Sequence, residues 1–216
     1  MSNPVRLHDY WRSSASYRVR IALALKGVAY ERVPVDLVRG EQRGEANTIV
    51  NAQGFVPTLE AGALTLTQSL AIVEWLDATV PEPRLVPADP AAAAQVRAMA
   101  LIVACDIHPL NNLRVLKYLE NELGADKDAR DRWYRHWIAE GLAALEAVAA
   151  PFGQTPSDED VAAAPANLAT LCLVPQLYNA RRFDVDLTPY PTLVRVDAAL
   201  AEHEAFKAAH PDAVKP

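Results

Sequence analysis

Four prolines lie within the ten residues from Pro81 to Pro90, which read PEPRLVPADP. Proline lacks a backbone N–H and has a fixed φ, so this stretch can continue neither a helix nor a central strand. Strand and helix patterns alternate before it, and only helical patterns follow it. We therefore predict two domains, over residues 1–83 and 91–216, joined by a linker over 84–90.

The N-terminal part alternates short strands with helices. Its predicted elements are a strand around Val5 and Leu7, a helix from Ala15 that stops at Gly27, strands over 30–37, 58–60 and 63–67, and a helix over 69–80. Pro34 cannot donate a hydrogen bond, which restricts the second strand to a sheet edge. The last two strands are close enough to form a hairpin around Gly62. This order predicts a thioredoxin-like α/β domain with a four-stranded mixed sheet.

Alanine-rich helical periodicity fills the chain beyond the linker. The predicted helices cover 91–123, with a kink or break at Pro109, and then 130–149, 167–183 and 191–209. The side chains predicted to face inward from the first two are Val96, Met99, Ala100, Val103, Ile107, Leu110, Trp133, Trp137, Leu142 and Leu145. Asn167 and Thr170 predict a weaker form of the usual capping box. This half is predicted to be an all-α helical bundle.

Composition restricts the class of function. The chain has 216 residues, a formal net charge of −6 and a pI near 5.4, and no stripe of Lys and Arg suited to a nucleic-acid backbone. Residues 1–6 contain no apolar leader, and no run approaches the roughly 20 apolar residues of a membrane span, so we expect a cytoplasmic protein.

Cys105 and Cys172 lack metal-ligand spacing, so we expect no disulfide, no metal site and two buried thiols.

A polar turn with two adjacent serines separates the first strand from the first helix. It reads Arg12-Ser13-Ser14-Ala15. A helix N-terminus presents unpaired backbone N–H groups and the positive end of the helix dipole, which together suit an anion. Serine is also a favoured N-cap for structural reasons alone. Taken by itself, the turn leaves both interpretations open.

Several longer stretches are more specific than the turn. They are SSASYRVRIAL from residue 13, FVPTL from residue 55, QSLAIVEWL from residue 68, DIHPLNNL from residue 106 and ARRFDVDLTPYP from residue 180. Together they resemble the zeta class of glutathione transferases over nearly the whole chain. The resemblance implies the two-domain glutathione transferase fold, glutathione as cofactor, and a homodimer.

The resemblance also implies a set of glutathione-binding residues. Ser13 and Ser14 are the implied catalytic pair, which favours the thiolate of bound glutathione, and Ala15 stands where the family often has cysteine. The other implied positions are Gln42 at the glycyl end, Val56 with a cis Pro57 at the cysteinyl part, Gln68 and Ser69 at the γ-glutamyl carboxylate, and His108 with Asn112. The last two are four residues apart and are predicted to share a helix face. Each of these residues could instead be an ordinary cap, turn or surface residue.

The implied activity is the cis–trans isomerisation of maleylacetoacetate to fumarylacetoacetate, a step of tyrosine catabolism, with glutathione regenerated. Guanidinium forks match planar carboxylates, so Arg12, Arg114 and Arg182 are candidate substrate-binding residues, although a cap or a solvated charge is the alternative for the last two. Maleylpyruvate is the nearest alternative substrate. A transferase that consumes glutathione on small haloacids is a second alternative. A non-catalytic binding module would be favoured only by a degenerate serine turn, and this turn is intact.

Overall fold

The structure is a computed structural model that describes residues 4–149 and 166–216. Residues 1–3, part of the N-terminus expected to lack a leader, lie outside the described residues, as do 150–165 of the predicted second domain. The described helices are, in chain order, α1 (Ser14–Leu25), α2 (Glu45–Thr48), α3 (Ser69–Thr79), α4 (Pro90–Leu101), α5 (Leu113–Asn121), α6 (Lys127–Ala149), α7 (Leu168–Arg182), α8 (Pro191–Ala201), α9 (Glu204–Ala209) and α10 (Pro211–Val214).

A four-stranded mixed sheet forms the core of the N-terminal part. Its strands are β1 (Val5–Asp9), β2 (Glu31–Pro34), β3 (Thr58–Ala61) and β4 (Leu64–Thr67), in the spatial order β2-β1-β3-β4. β1 and β2 run parallel, whereas β3 is antiparallel to both β1 and β4. Thr58 pairs with Thr67 across the predicted hairpin. The predicted mixed sheet is confirmed.

The strand β2 lies at the edge of the sheet, as Pro34 requires. The predicted strand runs to residue 37, but the observed strand ends at Pro34. Asp36 explains the difference, because its Oδ1 accepts hydrogen bonds from the N–H groups of Val38 at 2.8 Å and Arg39 at 3.2 Å. These bonds turn the chain away from the sheet.

The helix α1 packs an apolar stripe into the core. Val19, Ala22 and Leu23 are fully buried. The helix ends just before Gly27, whose φ of +62° is a left-handed conformation that favours glycine. The N–H of Val28 then donates to the Leu23 carbonyl at 2.9 Å, which satisfies a free carbonyl of the last turn.

The packing of the chain defines two units whose boundaries differ from the predicted domains. One unit is Met1–Val86 with Ala201–Pro216, and the other is Pro87–Leu200. The C-terminal segment joins the first unit because Phe206 of α9 is buried where α9 contacts α1. Helical periodicity predicts the elements of this segment but not the element against which they pack.

The predicted helix over 191–209 is divided into α8 and α9. His203 stands at the break, and its Nδ1 accepts a hydrogen bond from the N–H of Ala205 at 3.1 Å. A histidine ring thus takes the capping role that Ser, Thr, Asp or Asn usually has. Because the apolar period continues across the break, the sequence pattern does not reveal it.

The start of the predicted linker is fixed to the first unit by Asp77 in α3. The Asp77 carboxylate accepts from the N–H groups of Leu85 at 2.7 Å and Val86 at 3.1 Å, and from Lys26 Nζ at 2.7 Å. Lys26 also donates to the Pro83 carbonyl at 2.6 Å. Residues 83–86 therefore belong with the first unit.

In the second unit, the predicted helix over 91–123 is divided. The helix α4 ends at Leu101, a π-helical segment covers Ile102–Ile107, and α5 begins at Leu113 after Pro109. Pro109 predicts a kink or a break, and the structure has the break, whereas no sequence signal predicts the π-helical segment. A single inserted residue per turn leaves almost no trace in an apolar pattern.

Close contact at Gly141 accompanies the π-helical segment. A Cβ atom at this position of α6 would overlap Cγ1 of Ile107, so only glycine allows the approach. Of the inward-facing residues predicted before α5, four are buried and two are half-buried. The buried ones are Val96, Ala100, Val103 and Ile107, and the half-buried ones are Met99 and Leu110.

The helix α6 buries a different face from the one predicted at its start. Trp133 and Trp137 are half-buried, with their rings 5.6 Å apart, and Tyr134 and Ile138 are buried in their place. The indole Nε1 of Trp133 donates to the Leu110 carbonyl at 2.8 Å. A tryptophan whose polar edge needs a partner suits a half-buried position. Further along, Leu142 and Leu145 are buried as predicted.

The helix α7 begins with a complete capping box. Thr170 N–H donates to Asn167 Oδ1 at 3.1 Å, and Asn167 N–H donates to Thr170 Oγ1 at 2.8 Å. The threonine hydroxyl thus performs the role of the usual acidic side chain. The predicted weakness of this box is not evident in its hydrogen bonds.

The two cysteines differ in exposure, and both are free. Cys172 is buried as predicted, but the prediction for Cys105 is wrong, because its side chain is exposed. Val103 and Ile107 take the buried face of the π-helical segment, and Cys105 lies between them on the other side. Within residues 4–149 and 166–216, no three His, Cys, Asp or Glu side chains are grouped as metal ligands would be.

The stretch Pro90–Ile107 is apolar enough to contradict the expectation that no run approaches a membrane span. Its 18 residues have a mean hydropathy of 1.4, which meets a membrane-span criterion of length and composition, and 28% of the window is buried. Its buried positions pack against α6 and α7 within the second unit. Leu101, by contrast, is 43% exposed. The stretch therefore has a buried face, and its outer face mixes apolar side chains with the exposed Gln95, Arg97 and Asp106.

Candidate functional site

The predicted site residues fall into two groups, one in each unit. The first unit contains Arg12, Ser13, Ser14, Ala15, Gln42, Val56, Pro57, Gln68 and Ser69, and the second contains His108, Asn112, Arg114 and Arg182. The first group is the more completely defined, because hydrogen bonds connect the loops that carry it.

The serine turn lies between β1 and α1. Ser13 is the N-cap of α1, and its Oγ accepts from the N–H of Ser16 at 3.2 Å. This bond uses a lone pair and leaves the hydroxyl hydrogen of Ser13 able to donate. Ser14 is the first helical residue and is 5% exposed, and Ala15 brings no thiol. The turn therefore places two hydroxyl groups at the positive end of the α1 dipole.

Behind the turn, a buried charge network fixes the backbone of residues 10 and 11. Arg20 donates from Nη1 to Asp9 Oδ1 at 2.7 Å, from Nη2 to the Trp11 carbonyl at 2.9 Å, and from Nε to the Ala209 carbonyl at 3.0 Å. Arg32 donates to the second oxygen of Asp9 at 2.8 Å. A helix residue thus connects β1, the approach to the serine turn and the C-terminal segment.

Burial perturbs two ionisable groups of this network. It lowers the pKa of Arg20, an effect that the neighbouring Asp9 carboxylate opposes. It also raises the pKa of Tyr30, which the positive charge of Arg20 partly offsets. Because a guanidinium stays protonated throughout the physiological range, the network remains an ion pair there.

Arg12 stacks on aromatic rings beside the serine turn. Its guanidinium carbon lies 5.4 Å from the centroid of the Trp11 ring and 6.0 Å from that of Tyr10. Lys215 Nζ of the C-terminal segment lies 5.3 Å from the same Trp11 ring. The indole thus restrains Arg12 and connects it to the end of the chain.

Asparagine amides hold the loop that precedes Pro57. Asn51 Nδ2 donates to the Phe55 carbonyl at 3.1 Å. Asn47 Nδ2 donates to the same carbonyl at 3.4 Å and to the Gln42 carbonyl at 3.0 Å. These bonds fix the positions of Gln42 and Phe55 relative to each other.

The Val56–Pro57 peptide is cis, as the resemblance implies. Gln42 is partly buried, and its Oε1 is buried without a hydrogen-bond partner among the described residues. A Cβ atom at Gly54 would lie 2.9 Å from the Gln42 carbonyl oxygen, and the φ of Gly54 is +64°, so this close approach requires glycine. The loop brings Gln42 close to the residues just before Pro57.

Gln68 and Ser69 mark the start of α3. Gln68 has a φ of +68°, an uncommon conformation for a residue with a side chain, and such backbone outliers cluster at functional sites. It is the N-cap, but its side chain makes no capping hydrogen bond and donates instead to Gln53 Oε1 at 2.8 Å. Ser69 is buried at the first helical position. The N–H groups of the first turn of α3 therefore lack a side-chain cap.

Arg18 is a residue that the sequence reasoning missed. It is buried, and its Nη1 donates to Ser69 Oγ at 3.2 Å. The contact joins α1, which follows the serine turn, to the start of α3, the predicted γ-glutamyl end of the glutathione site. The only sequence signal is an arginine placed among the apolar residues of α1, because charged residues are rarely buried without a partner.

His108 and Asn112 do not share a helix face as predicted. The π-helical segment ends at Ile107, and a turn follows from His108. Asn112 is the N-cap of α5, where its Oδ1 accepts from the N–H of Arg114 at 3.1 Å. Pro109 and the turn interrupt the helix between them, which removes the basis of the face argument.

Arg114 and Arg182 are both exposed. Arg182 Nη1 lies 3.3 Å from Asn179 Oδ1, and its guanidinium carbon lies 5.5 Å from the ring centroid of Phe183. Phe183 in turn stacks on Tyr134, with 3.6 Å between ring centroids. Arg182 is therefore supported by an aromatic ring, as Arg12 is.

Known proteins share the fold and much of the sequence. Residues 12–79 match the family model described as glutathione S-transferase, N-terminal domain. A maleylacetoacetate isomerase from Rhizobium meliloti is 46% identical over 100% of both chains. The fold and these matches define a glutathione transferase.

Two solved structures narrow the class. A holo structure of a maleylpyruvate isomerase, described as a bacterial glutathione transferase of the zeta class, is 47% identical with a TM-score of 0.92, covering 97% of this chain and 98% of that one. A maleylacetoacetate isomerase from Anaeromyxobacter dehalogenans, with dicarboxyethyl glutathione and citrate in its active site, is 43% identical with a TM-score of 0.83, covering 99% and 97%. The chain belongs to this zeta-class family of maleylacetoacetate and maleylpyruvate isomerases.

Proposed function

We propose that the protein is a glutathione-dependent isomerase that converts maleylacetoacetate to fumarylacetoacetate. The observation that carries the proposal is the serine turn, with Ser13 as the N-cap of α1 and Ser14 as its first residue. Relatives that carry this activity in their names match nearly the whole chain. Glutathione is the cofactor, and Gln42, Val56, Pro57, Gln68 and Ser69 are its proposed binding residues.

The serine turn is sufficient to activate the thiol. A free thiol has a pKa near ~8.5, and lowering it by about two units takes roughly 2.7 kcal/mol. One hydrogen bond to the charged sulfur contributes about 1.5–3 kcal/mol. The N-terminus of α1 adds about 0.3–2 kcal/mol. A serine hydroxyl at this place therefore suffices without a separate general base.

The reaction proceeds through addition and elimination of the sulfur. The thiolate attacks the cis double bond conjugated to the ketone, and the electron pair moves onto the ketone oxygen to give an enolate. The former double bond is now single and rotates, after which the enolate expels the thiolate and the trans double bond forms. The dicarboxyethyl glutathione in a relative is the type of thioether that such an addition produces. The positive end of the α1 dipole and the proposed arginines Arg12, Arg114 and Arg182 stabilise the enolate.

Three arginines are the proposed carboxylate-binding residues, namely Arg12, Arg114 and Arg182. A guanidinium fork matches a carboxylate in geometry and charge. The aromatic support of Arg12 and Arg182 favours this role, because a held side chain loses less entropy on binding. Replacing any one by Met should reduce kcat/KM by a factor equivalent to about 1.5–3 kcal/mol, with little change in glutathione affinity.

Maleylpyruvate is the second candidate substrate, because the structure with the TM-score of 0.92 is a maleylpyruvate isomerase. The deciding assay compares maleylacetoacetate, maleylpyruvate and a monocarboxylic haloacid, each with substoichiometric glutathione. We expect both dicarboxylates to be fully isomerised, with the higher kcat/KM for maleylacetoacetate. If the haloacid reacts fastest, consumes glutathione and is unaffected by the Arg→Met changes, a transferase function replaces the proposal.

We also propose a cytoplasmic homodimer. The resemblance to the zeta class supports a dimer, and the exposed Leu101, with Ala94 and Ala98 on the same helix face, is the apolar part of Pro90–Ile107 that a second copy would cover. A sedimentation mass near twice 23.6 kDa is the expected result, and a mass equal to one chain would contradict it.

A further inference from the structure

Arg18 is a buried cation without a counter-ion in the described part of the chain. Arg18 is only 2% exposed. Nη1 donates to Ser69 Oγ, while Nε and Nη2 are buried and find no hydrogen-bond partner among residues 4–149 and 166–216. Burying a charge is expensive unless it is paired. An arginine in this state calls for an anion that arrives from outside the chain.

Arg20, two residues further along the same helix, shows the contrast. It is equally buried, but Asp9 neutralises it and three carbonyl groups accept from it. The same side chain in the same helix can therefore be fully paired by this fold. The unpaired state of Arg18 is therefore due to its surroundings at the start of α3 and not to its position in α1.

The place that Arg18 faces is the start of α3. This helix has 11 residues, and the side chain of its N-cap, Gln68, makes no capping bond. The free N–H groups of its first turn and the positive end of its dipole attract an anion. The Arg18 guanidinium contacts Ser69, the first residue of that turn. Two independent sources of positive potential therefore act at one serine.

We propose that Arg18 is the buried counter-charge of a carboxylate site at the start of α3, and that it acts through Ser69. The carboxylate is the α-carboxylate of the γ-glutamyl group of glutathione, so the inference rests on the proposed function and adds a residue to it. Arg18 is a positioning residue, because it reaches the site through its hydrogen bond to Ser69 Oγ.

The hydrogen bond from Arg18 also orients the serine. Ser69 Oγ accepts from Nη1 with a lone pair, so its own hydrogen remains to donate to the ligand. The buried positive charge makes this donor stronger, because interactions in a low-dielectric interior are weakly screened. Removing Arg18 would take away both the orientation and the charge.

The first test compares Arg18→Met with Arg20→Met in the absence of ligand. Replacing an unpaired buried cation by an apolar side chain of similar length relieves a desolvation penalty, so Arg18→Met should have an unfolding midpoint equal to or above that of the wild type. Arg20→Met should have a lower midpoint, because it leaves Asp9 with one partner fewer. If Arg18→Met is destabilised as strongly as Arg20→Met, Arg18 has a structural role and the inference fails.

The second test measures Kd for two ligands by calorimetry. The ligands are glutathione and γ-aminobutyryl-cysteinylglycine, which lacks only the α-carboxylate. Arg18→Met should weaken glutathione binding about ten- to a hundredfold, as expected for one charge-assisted contact, and should leave the Kd of the analogue unchanged. An equal loss for both ligands, or no loss for glutathione, would overturn the inference.

Two further measurements separate the possible failures. If Arg18→Met does not fold, Arg18→Lys replaces it, since lysine keeps the charge and loses the fork; a loss confined to glutathione supports the inference, and an equal loss for both ligands contradicts it. Wild-type binding of glutathione and isomerisation of the dicarboxylates are measured first. If these are absent, the proposed function itself is wrong, whereas a wild type that binds glutathione leaves only the role of Arg18 in question.

Discussion

The substitution Asp9→Asn tests the buried charge network directly. Both carboxylate oxygens of Asp9 accept from guanidinium groups, at 2.7 Å from Arg20 and 2.8 Å from Arg32, and the side chains of Asp9 and Arg20 are fully buried. Asparagine has the same shape, but one of its two terminal groups is an NH₂ that cannot accept. Arg20 would then be a buried cation without a carboxylate partner.

Breaking a buried ion pair by removing one partner costs about 3–5 kcal/mol in the free energy of unfolding. With a urea m-value of about 2.5 kcal/mol/M, the unfolding midpoint should fall by about 1–2 M. Because Arg20 also holds the carbonyl groups of Tyr10 and Trp11, the serine turn should lose its position and turnover should fall as well. Urea unfolding followed by circular dichroism measures the first effect, and an isomerase assay the second.

The matched control is Asp36→Asn, the same chemical change at an exposed ion pair. Arg39 is 80% exposed and lies 3.5 Å from Asp36, so this pair contributes at most about 1 kcal/mol. Asparagine can also retain the Oδ1 bonds to the backbone of residues 38 and 39. If Asp9→Asn shifts the midpoint no more than Asp36→Asn, the buried pair does not stabilise the fold and the reasoning fails.

Further predictions concern the thiol chemistry and the pH dependence of stability. Ser14→Ala should lower turnover by about 10² or more, and Ser13→Gly, which costs the helix cap only a few tenths of a kcal/mol, shows whether the N-cap hydroxyl is also needed; full activity in both variants would contradict the role of the turn. Cys105→Ala and Cys172→Ala should keep kcat/KM, since glutathione supplies the reacting sulfur, and loss of activity in either would refute this. Burial raises the pKa of Tyr30, so the folded state keeps its phenol proton above pH 10 while the unfolded chain loses it, and stability should fall as pH rises. Tyr30→Phe should reduce that fall in unfolding experiments between pH 9 and 11, and an unchanged pH profile would contradict it.

Local signals in the sequence were sufficient for most elements. Alternation and the turn at Gly62 predict the hairpin, and Gly27 predicts the end of α1. Pro109 predicts the break between α4 and α5. Each depends on a residue with a special backbone property, so neighbouring residues determine the outcome.

Tertiary contacts explain what the sequence could not show. The C-terminal segment joins the first unit through the buried Phe206 and through the Ala209 carbonyl, which accepts from Arg20, and the sequence carries no signal for either contact. The close approach of Ile107, in the π-helical segment, to α6 requires Gly141, more than 30 residues away. In the candidate site, the motifs identified Ser13 and Ser69 but not the arginine between their helices.

The two arginines of α1 show why motif reading stops at the residues that touch a ligand. Arg18 and Arg20 are about 200° apart around the helix, so they face opposite sides. On one side Arg20 meets a carboxylate of its own chain, and on the other Arg18 meets a serine and an uncapped helix start. The spacing of Arg18 and Arg20 in the sequence predicts that they face opposite sides of α1, but not which groups they meet on each side. A buried charge becomes informative only when its partners are known, since a paired arginine stabilises the fold and an unpaired one is retained at the expense of stability. Replacing Arg18 should therefore lower glutathione affinity without lowering stability, whereas replacing Arg20 should lower stability.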